Sequence, residues 1–336
     1  MKTREVPFRE LHEENRFDVR SYSEELAAQW DDFVWQAHSG TLFHTRKFLS
    51  YHPPGRFVDH SLIFTRGDHW VAVLPAVVRD VDGCESLVSH AGASYGGLIV
   101  SAPPSIKDSF RLVDRLVNYA RDRGFGQIVM TLPPQIYCTR PNNYLDFALL
   151  ESGFRYLKRE ISSVIPLDFA EEDTLLKFTP ASRRAVKKAR SHDVEIRETD
   201  DFARFYAILK QNLKLRHNVE PTHSLTELRR LKKLFPDDIR LFAAFKGADM
   251  IAGIVLFVCN PRVALAFYIS HDEAQQAYRG VNLLFHEVIR WCIRKRFKFL
   301  DFGIFTVNMK VNWGLARFKE SFGALGVFRD TFVCGL

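Results

Sequence analysis

The second half of this sequence repeats the first in pattern rather than in residues. In each half an alternating, strand-like meander leads into a loop and a long amphipathic helix. A short apolar strand, a second helix, a corner of glycine and phenylalanine, and a closing strand follow. Gln127 to Leu132 in the first half corresponds to Phe297 to Phe302 in the second, and Gly153-Phe154 corresponds to Phe322-Gly323. A meander followed by strand–helix alternation predicts a mixed sheet covered by helices. Its recurrence predicts two such domains in tandem, and 336 residues suit two cores better than one. The fold class is therefore α/β (α+β), with one domain over residues 1–168 and another over 169–336.

Within each half, local signals place the elements. Ile106 to Arg123 carries Phe110, Val113, Leu116, Val117 and Ala120 at helical spacing and stops at Gly124. Thr179-Pro180 supplies a cap followed by Pro at the first helical position. Ser224-Leu225-Thr226-Glu227 is a capping box. Asp59 to Thr65 and His69 to Arg79 alternate as strands across the turn Arg66-Gly67-Asp68. In the second half Tyr278-Arg279-Gly280 turns into a helical run, Val281 to Arg296, with Leu284, Val288, Trp291 and Cys292 on one face.

That turn is the first candidate site. The opening amides of a helix lack intrahelical partners and its dipole favours negative charge, so Arg279, Gly280, Val281 and Asn282 form a candidate anion site for the phosphates of an activated acyl donor. The same residues also suit an ordinary glycine turn at the head of a core helix. A second basic feature is the run Arg183, Arg184, Lys187, Lys188 and Arg190. On a helix, 183, 187 and 190 share one side and 184 and 188 another, giving two stripes able to grip phosphate or to form a solvated face. Asp301 ends the short strand beside the candidate donor site, where it would accept or orient an amine proton, or serve as a cap or ion pair. The loop from Ser89 to Gly97 is rich in small residues and lets a ligand approach the backbone, with His90 and Tyr95 as its polar members.

Composition narrows the chemistry. The net charge of +7 favours anionic partners such as phosphates or RNA. Five cysteines, Cys84, Cys138, Cys259, Cys292 and Cys334, are odd in number and widely spaced, so neither a disulfide framework nor a zinc ribbon is indicated. The 12 histidines are scattered; the nearest pairs, His38 with His44 and His217 with His223, lack further ligands, and no metal is expected. Met1 to Arg20 is polar and of mixed charge, unlike a signal peptide, and no apolar run reaches bilayer-spanning length. A soluble protein of the reducing cytoplasm is expected. There is no P-loop, no nucleophile elbow and no signature of a DNA- or RNA-binding fold.

Four stretches carry a family resemblance. They are Ser89-His90-Ala91-Gly92-Ala93-Ser94-Tyr95-Gly96-Gly97, Ser182-Arg183-Arg184-Ala185-Val186-Lys187-Lys188-Ala189, Asp301-Phe302-Gly303, and Gly314-Leu315-Ala316-Arg317-Phe318-Lys319-Glu320-Ser321-Phe322-Gly323. In this order the chain resembles the FemAB-like tandem-GNAT group, which includes the Fem peptidyltransferases, over nearly its whole length. Two features depart from that pattern: the long helical-hairpin arm of some Fem proteins is absent, and His44-Thr45 stands where the group has Gln.

The resemblance implies two tandem GNAT-like domains, each a mixed sheet flanked by helices. It implies transfer of an acyl or aminoacyl group to a primary amine on a small, peptidyl or sugar-linked acceptor, in cell-wall, polysaccharide or related envelope-precursor metabolism. The donor would be acyl-CoA (acetyl-CoA) or an aminoacyl-tRNA, the latter for peptidoglycan cross-bridges. The N-terminal domain would serve the acceptor and have lost donor binding; the C-terminal domain would bind donor and catalyse. Lys319, in the group's Phe-Lys pair with Phe318, would stabilise the charge of the tetrahedral intermediate. Tyr268 and His271 stand where GNAT enzymes keep a general acid or base. Arg183 or Arg184 would hold acceptor phosphates, and His90, Tyr95, Gly96 and Phe318 would contact substrate. A non-catalytic scaffold is the alternative, in which side chains such as Trp291 or Phe305 fill the donor groove.

Overall fold

The computed structural model describes residues 17–217 and 220–336. Most of the stretch read above as unlike a signal peptide lies outside the described residues, as does the His217 side chain. The chain divides into two compact units, Met1–Arg159 with Asp330–Leu336, and Glu160–Arg329. The units are thus not contiguous halves. A strand expected to close the first domain passes into the second unit at Glu160, and the last strand passes back at Asp330.

The first unit contains β1 (Asp18–Ser21), α1 (Ala27–Gln36), α2 (Arg46–Leu49), β2 (Val58–Asp59), β3 (Leu62–Arg66), β4 (His69–Leu74), β5 (Val77–Val81), β6 (Cys84–Ser89), β7 (Ile99–Val100), α3 (Ile106–Asp122), β8 (Gln127–Thr131), α4 (Tyr144–Glu151) and the start of β9 (Arg155–Pro166). The strand expected over His69 to Arg79 is cut at Pro75, which has no N–H for a ladder. Its halves join different sheets: β4 pairs with β3 and β7, and β5 with β2 and β6. β6 and β8 are parallel, connected through α3. Val113, Leu116, Val117 and Ala120 of α3 are buried against this core, as the spacing predicts, while Phe110 is only half-buried and Leu112 joins the buried face.

The second unit contains α5 (Thr174–Lys177), α6 (Pro180–Ser191), β10 (Val194–Thr199), α7 (Phe202–His217), α8 (Leu225–Leu234), β11 (Ile239–Lys246), β12 (Asp249–Asn260), β13 (Val263–His271), α9 (Gly280–Arg294), β14 (Phe299–Ile304), β15 (Thr306–Val307), β16 (Lys310–Val311), α10 (Trp313–Glu320) and the start of β17 (Leu325–Gly335). Strands β10 to β13 form the antiparallel meander. β14 is parallel to β13 and antiparallel to the Ser162–Pro166 end of β9. The expected caps are present: the Thr179 side chain accepts from the Ser182 amide, and Ser224 and Glu227 form the capping box. One face of the sheet, with Phe242, Ala252, Ile254, Ala264 and Leu300, packs against Leu284, Val288 and Cys292 of α9.

Candidate functional site

In the second unit β13 and β14 pair over only three residues, Val263–Leu265 against Phe299–Asp301. No further β13–β14 pairing follows in the register. A β-bulge in β14, where Phe302 and Gly303 together oppose a single residue of β9, bends this strand. Gly303 has φ +69°, the left-handed region that glycine enters at no steric cost. Its amide donates to Asp301 Oδ1 at 2.7 Å, so the fully buried Asp301 holds the bend from inside.

Lys319 enters at this bend. The sequence leaves open a solvated lysine on a helix face, but the side chain is 3% exposed. Its ammonium donates to the carbonyls of Gly303 at 2.7 Å and Ile304 at 2.8 Å. In a regular strand, consecutive carbonyls point to opposite edges; the left-handed glycine turns these two toward one donor. Burial draws the Lys319 pKa down to about 8, with Asp301 pulling the other way. An ammonium has three N–H groups, so two are committed here and one is left.

A bulge on the neighbouring strand decides which β13 side chains face α9. In the register Val255 opposes Tyr268 and Leu256 opposes Ala266, so Phe267 is absorbed by the irregularity. The alternation then shifts by one residue. Ile269 and His271 come to line a groove with Ile251 and Ala252, while Tyr268 turns to the other face. There its hydroxyl accepts from the His223 amide at 3.1 Å and lies 2.8 Å from His223 Nδ1. Burial raises its pKa to about 12. Tyr268 is therefore taken out of the candidate site, and His271 is the member of that pair that stays.

The groove has a volume of about 470 Å³ and is closed on its other side by the start of α9 and by α10. Arg279, Gly280, Val281, Asn282 and Phe318 all line it, with Asn312, Gly314 and Leu315. Gly280 has a packing reason as well: a Cβ there would lie 2.8 Å from Ile251 Cδ1 and 3.3 Å from the Ala244 Cβ. The first turn of α9 rests directly on the sheet; the Asn282 amide donates to Arg279 O at 3.1 Å, which leaves those of Gly280 and Val281 to open beside the groove. The Asn312 side chain caps α10 by accepting from the Leu315 amide at 3.0 Å. Neither Trp291 nor Phe305 lines the groove, and Trp291 packs on Phe242 and Phe297 instead.

A second cavity, of about 580 Å³, shares Arg279, Asn282, Gly314 and Phe318 with the first. Its wall adds Arg184, Lys188 and Arg317, so four cations surround it, and no carboxylate lines either cavity. Among the described residues none of the four forms an ion pair. Of the two basic stripes on α6, the one through Arg184 and Lys188 faces this cavity; Arg183 does not line it. Arg317 went unassigned in the sequence reading. The absence of Asp and Glu over residues 302–319 was the available signal.

The remaining candidates, His90, Tyr95 and Gly96, lie in the first unit and line neither of these cavities. Tyr95 is 1% exposed, with its hydroxyl 3.4 Å from that of Tyr137 and its ring edge-on to Phe43. Gly96 donates its amide to Thr131 O at 2.8 Å, and a Cβ there would come within 2.3 Å of the Ser89 backbone. His90 accepts from the Gly92 amide at 2.9 Å, and burial lowers its pKa to about 4. The loop's glycines are hemmed in: Gly96 lies on the Ser89 backbone, Gly92 against His52 and Phe57, and Gly97 against Leu132.

Comparison with known proteins fits this geometry. The family model for the acetyltransferase (GNAT) domain matches residues 178–320. The structure of FemX is similar with a TM-score of 0.72, at 11% identity over 95% of this chain and 97% of that one. A tandem GNAT protein from the clavulanic acid biosynthesis pathway is similar with a TM-score of 0.53, at 11% identity over 95% of this chain and 98% of that one. The C-terminal domain of a putative lysylphosphatidylglycerol synthetase from Agrobacterium fabrum gives 0.57, at 12% identity over 92% and 91%. Among curated proteins none matches the sequence. At these identities the likenesses establish the fold.

Proposed function

We propose that this chain, which carries an acetyltransferase (GNAT) domain within a tandem-GNAT fold, transfers an acyl group from acyl-CoA to a primary amine. One observation carries the reading: an acid-free groove at the head of α9 continues into four cations without counter-ions. A donor with an apolar arm and a phosphorylated end meets matching chemistry along its length. Ile251, Ile269, Leu315 and Phe318 suit the arm. Arg279 and the first amides of α9 suit the pyrophosphate, and Arg184, Lys188 and Arg317 suit further phosphate. The lining offers no carboxylate to balance a free α-ammonium, which favours a plain acyl group over an aminoacyl one.

The chemistry asks little of the protein. A neutral amine attacks the thioester carbonyl, the C–N bond forms, and the oxygen takes negative charge. The C–S bond then breaks, CoA leaves as thiolate, and the proton lost by the amine neutralises it. Lys319, with one N–H uncommitted, is the candidate to stabilise the oxyanion. Asp301 acts through Lys319 and the bend at Gly303 and is a positioning residue. The acceptor class that fits the fold's relatives is an amine of an envelope precursor, sugar-linked or peptidyl.

The test is release of CoA thiol from acetyl-CoA by the purified chain across a panel of amino sugars, lysyl peptides and polyamines. Calorimetric titration with CoA and dephospho-CoA accompanies it. Amine-dependent thiol release, and weaker binding of dephospho-CoA, are expected. A folded chain that binds neither form of CoA refutes the reading. A second reading, an aminoacyl-tRNA donor, draws on the same cationic wall and on the likeness to FemX. It predicts binding of charged tRNA that weakens steeply with salt.

A further inference from the structure

The most conspicuous feature outside the groove is an apolar prominence. Residues 307–314, Val-Asn-Met-Lys-Val-Asn-Trp-Gly, are all exposed. Val307 is 66% exposed, Met309 59% and Trp313 71%. Large apolar side chains left this open in sequence are unusual for a protein surface bathed only in water.

The segment is built to hold them there. Thr306 pairs with Val311 and Val307 with Lys310, making the β15–β16 hairpin. Asn308 and Met309 turn it with φ of +49° and +61°, as a two-residue hairpin turn requires. Its base is tied down: Thr306 Oγ1 accepts from the Ile161 amide at 3.0 Å, and the Met309 amide donates to Glu160 Oε1 at 3.2 Å. The Asn312 amide donates to Phe305 O at 3.0 Å. An anchored backbone thus carries an apolar tip in solvent.

Along the segment itself the charge is of one sign, the nearest carboxylates being the buried Glu160 under Met309 and Glu320 just beyond it. Residues 302–319 contain no Asp or Glu, and their cations are Lys310, Arg317 and the buried Lys319. Arg317 continues into the wall of Arg184, Lys188 and Arg279. Among the described residues no helix is long and apolar enough to cross a membrane.

We propose that the hairpin and Trp313 dock this protein on an anionic lipid surface. Met309, Val307 and Trp313 enter the headgroup region, and Lys310 faces lipid phosphates. Tryptophan and apolar side chains at the boundary, flanked by Lys and Arg, are what interfacial insertion uses. The charge complementarity selects an anionic bilayer, attracting each basic side chain near its surface. A stable protein interface needs roughly 800 Å² of complementary surface per partner. A narrow hairpin whose apolar side chains alternate with Asn and Lys suits insertion better. This proposal stands apart from the transferase reading, since it needs no turnover.

The test is cosedimentation of the full chain with phosphatidylglycerol-containing and with pure phosphatidylcholine vesicles, at low and high salt. Binding is expected only to the anionic vesicles, and weaker at high salt. Lys310→Gln should lower the partition coefficient about five-fold, and Met309→Ser with Trp313→Ser should abolish binding without changing the circular dichroism or melting temperature. Brominated acyl chains should quench tryptophan fluorescence of the wild type, and the Trp313→Phe variant should bind while losing that quenching. Binding that survives in the double variant, equal binding to both vesicles, or no binding at low salt overturns the proposal. So does a lipid-free dimer that dissociates in the double variant, which would make a second copy the occupant.

Discussion

Replacing Lys319 by methionine separates what its charge does for stability from what it does for the reaction. Burial draws the ammonium from 10.5 to about 8. From 10.5 to about 8, at about 1.4 kcal/mol for each tenfold change, holding the charge inside costs about 3.5 kcal/mol at neutral pH. Methionine removes that cost but strands the carbonyls of Gly303 and Ile304, at about 1–2 kcal/mol each. The two effects nearly cancel, so the melting temperature should move by no more than a few degrees. If Lys319 faces the oxyanion, its loss costs about 10²–10³ in kcat. Thiol release should therefore fall at least about a hundred-fold in a variant that is almost as stable. The pH dependence gives an independent check. Below about 8 both folded and unfolded chains carry the proton, and the burial cost is fully present. Between about 8 and 10.5 the unfolded chain binds more protons than the folded one, so wild-type stability rises with pH. The methionine variant lacks that rise. Urea unfolding across this range reads it directly. Full activity in the variant, or a loss of stability beyond about 5 kcal/mol, would show that Lys319 only holds β14 in shape.

Arg279→Ala and Arg317→Ala should each weaken CoA binding about ten-fold by calorimetry while leaving kcat nearly unchanged; a drop in kcat alone would count against a phosphate role. Tyr268→Phe should leave thiol release intact and lower stability by about 1 kcal/mol in urea, through the lost contacts to His223. A hundred-fold loss of activity there would return Tyr268 to the reaction. Burial holds His44 and His90 neutral, with pKa values of about 3 and about 4. Unfolding lets both take up protons below about 6.5, so their contribution is complete above that value and lost as pH falls toward 4. Each should account for about 2 kcal/mol between pH 6.5 and 5. A His90→Gln variant should show a smaller loss in urea titrations over that range.

Much of this architecture was legible because its signals are local. Thr179-Pro180, the Ser224 to Glu227 box and the turn at Gly280 each mark a helix start within a residue or two. The parallel pairs β6–β8 and β13–β14 follow from the repeated strand–helix–strand order. What escaped depended on register. A single bulge at Phe267 swaps Tyr268 for His271 in the groove, and nothing in the alternation of Val263 to His271 announces it. Burial of Lys319 escaped for a similar reason. On its helix it reads as a solvated cation, and only the carbonyls turned toward it by Gly303 make its position intelligible. The small-residue loop at Ser89 to Gly97 read as space for a ligand; its glycines lie against the Ser89 backbone and the side chains of His52, Phe57 and Leu132, contacts that no sequence spacing announces.

The two parallel strand pairs show how related patterns reach different ends. In the first unit β6 and β8 pair over four residues, and the chain beyond β6 keeps filling the space at their ends. The Gly96 amide bonds to Thr131 O, Gly97 lies against Leu132, and Tyr95 is sealed in the core. In the second unit the ladder stops after three pairs. Two carbonyls just past that point accept from Lys319 and are turned away from β13, while Ile304 still pairs with Ser162 of β9. A lysine is suited to this because it supplies donors and no acceptor: it satisfies the strand without continuing the sheet. Its charge also makes collapse of the gap around it costly, since a dry ammonium with fewer partners is worse than one with two carbonyls and an open third N–H. Lys319 lines neither cavity itself but sits behind the bend, so the residue proposed to stabilise the oxyanion is also the one whose bonds hold β14 bent away from β13. A variant that restores hydrogen bonding there without charge, Lys319→Gln, should keep the groove's affinity for CoA while losing turnover. Loss of both together would mean that the gap itself depends on the charge.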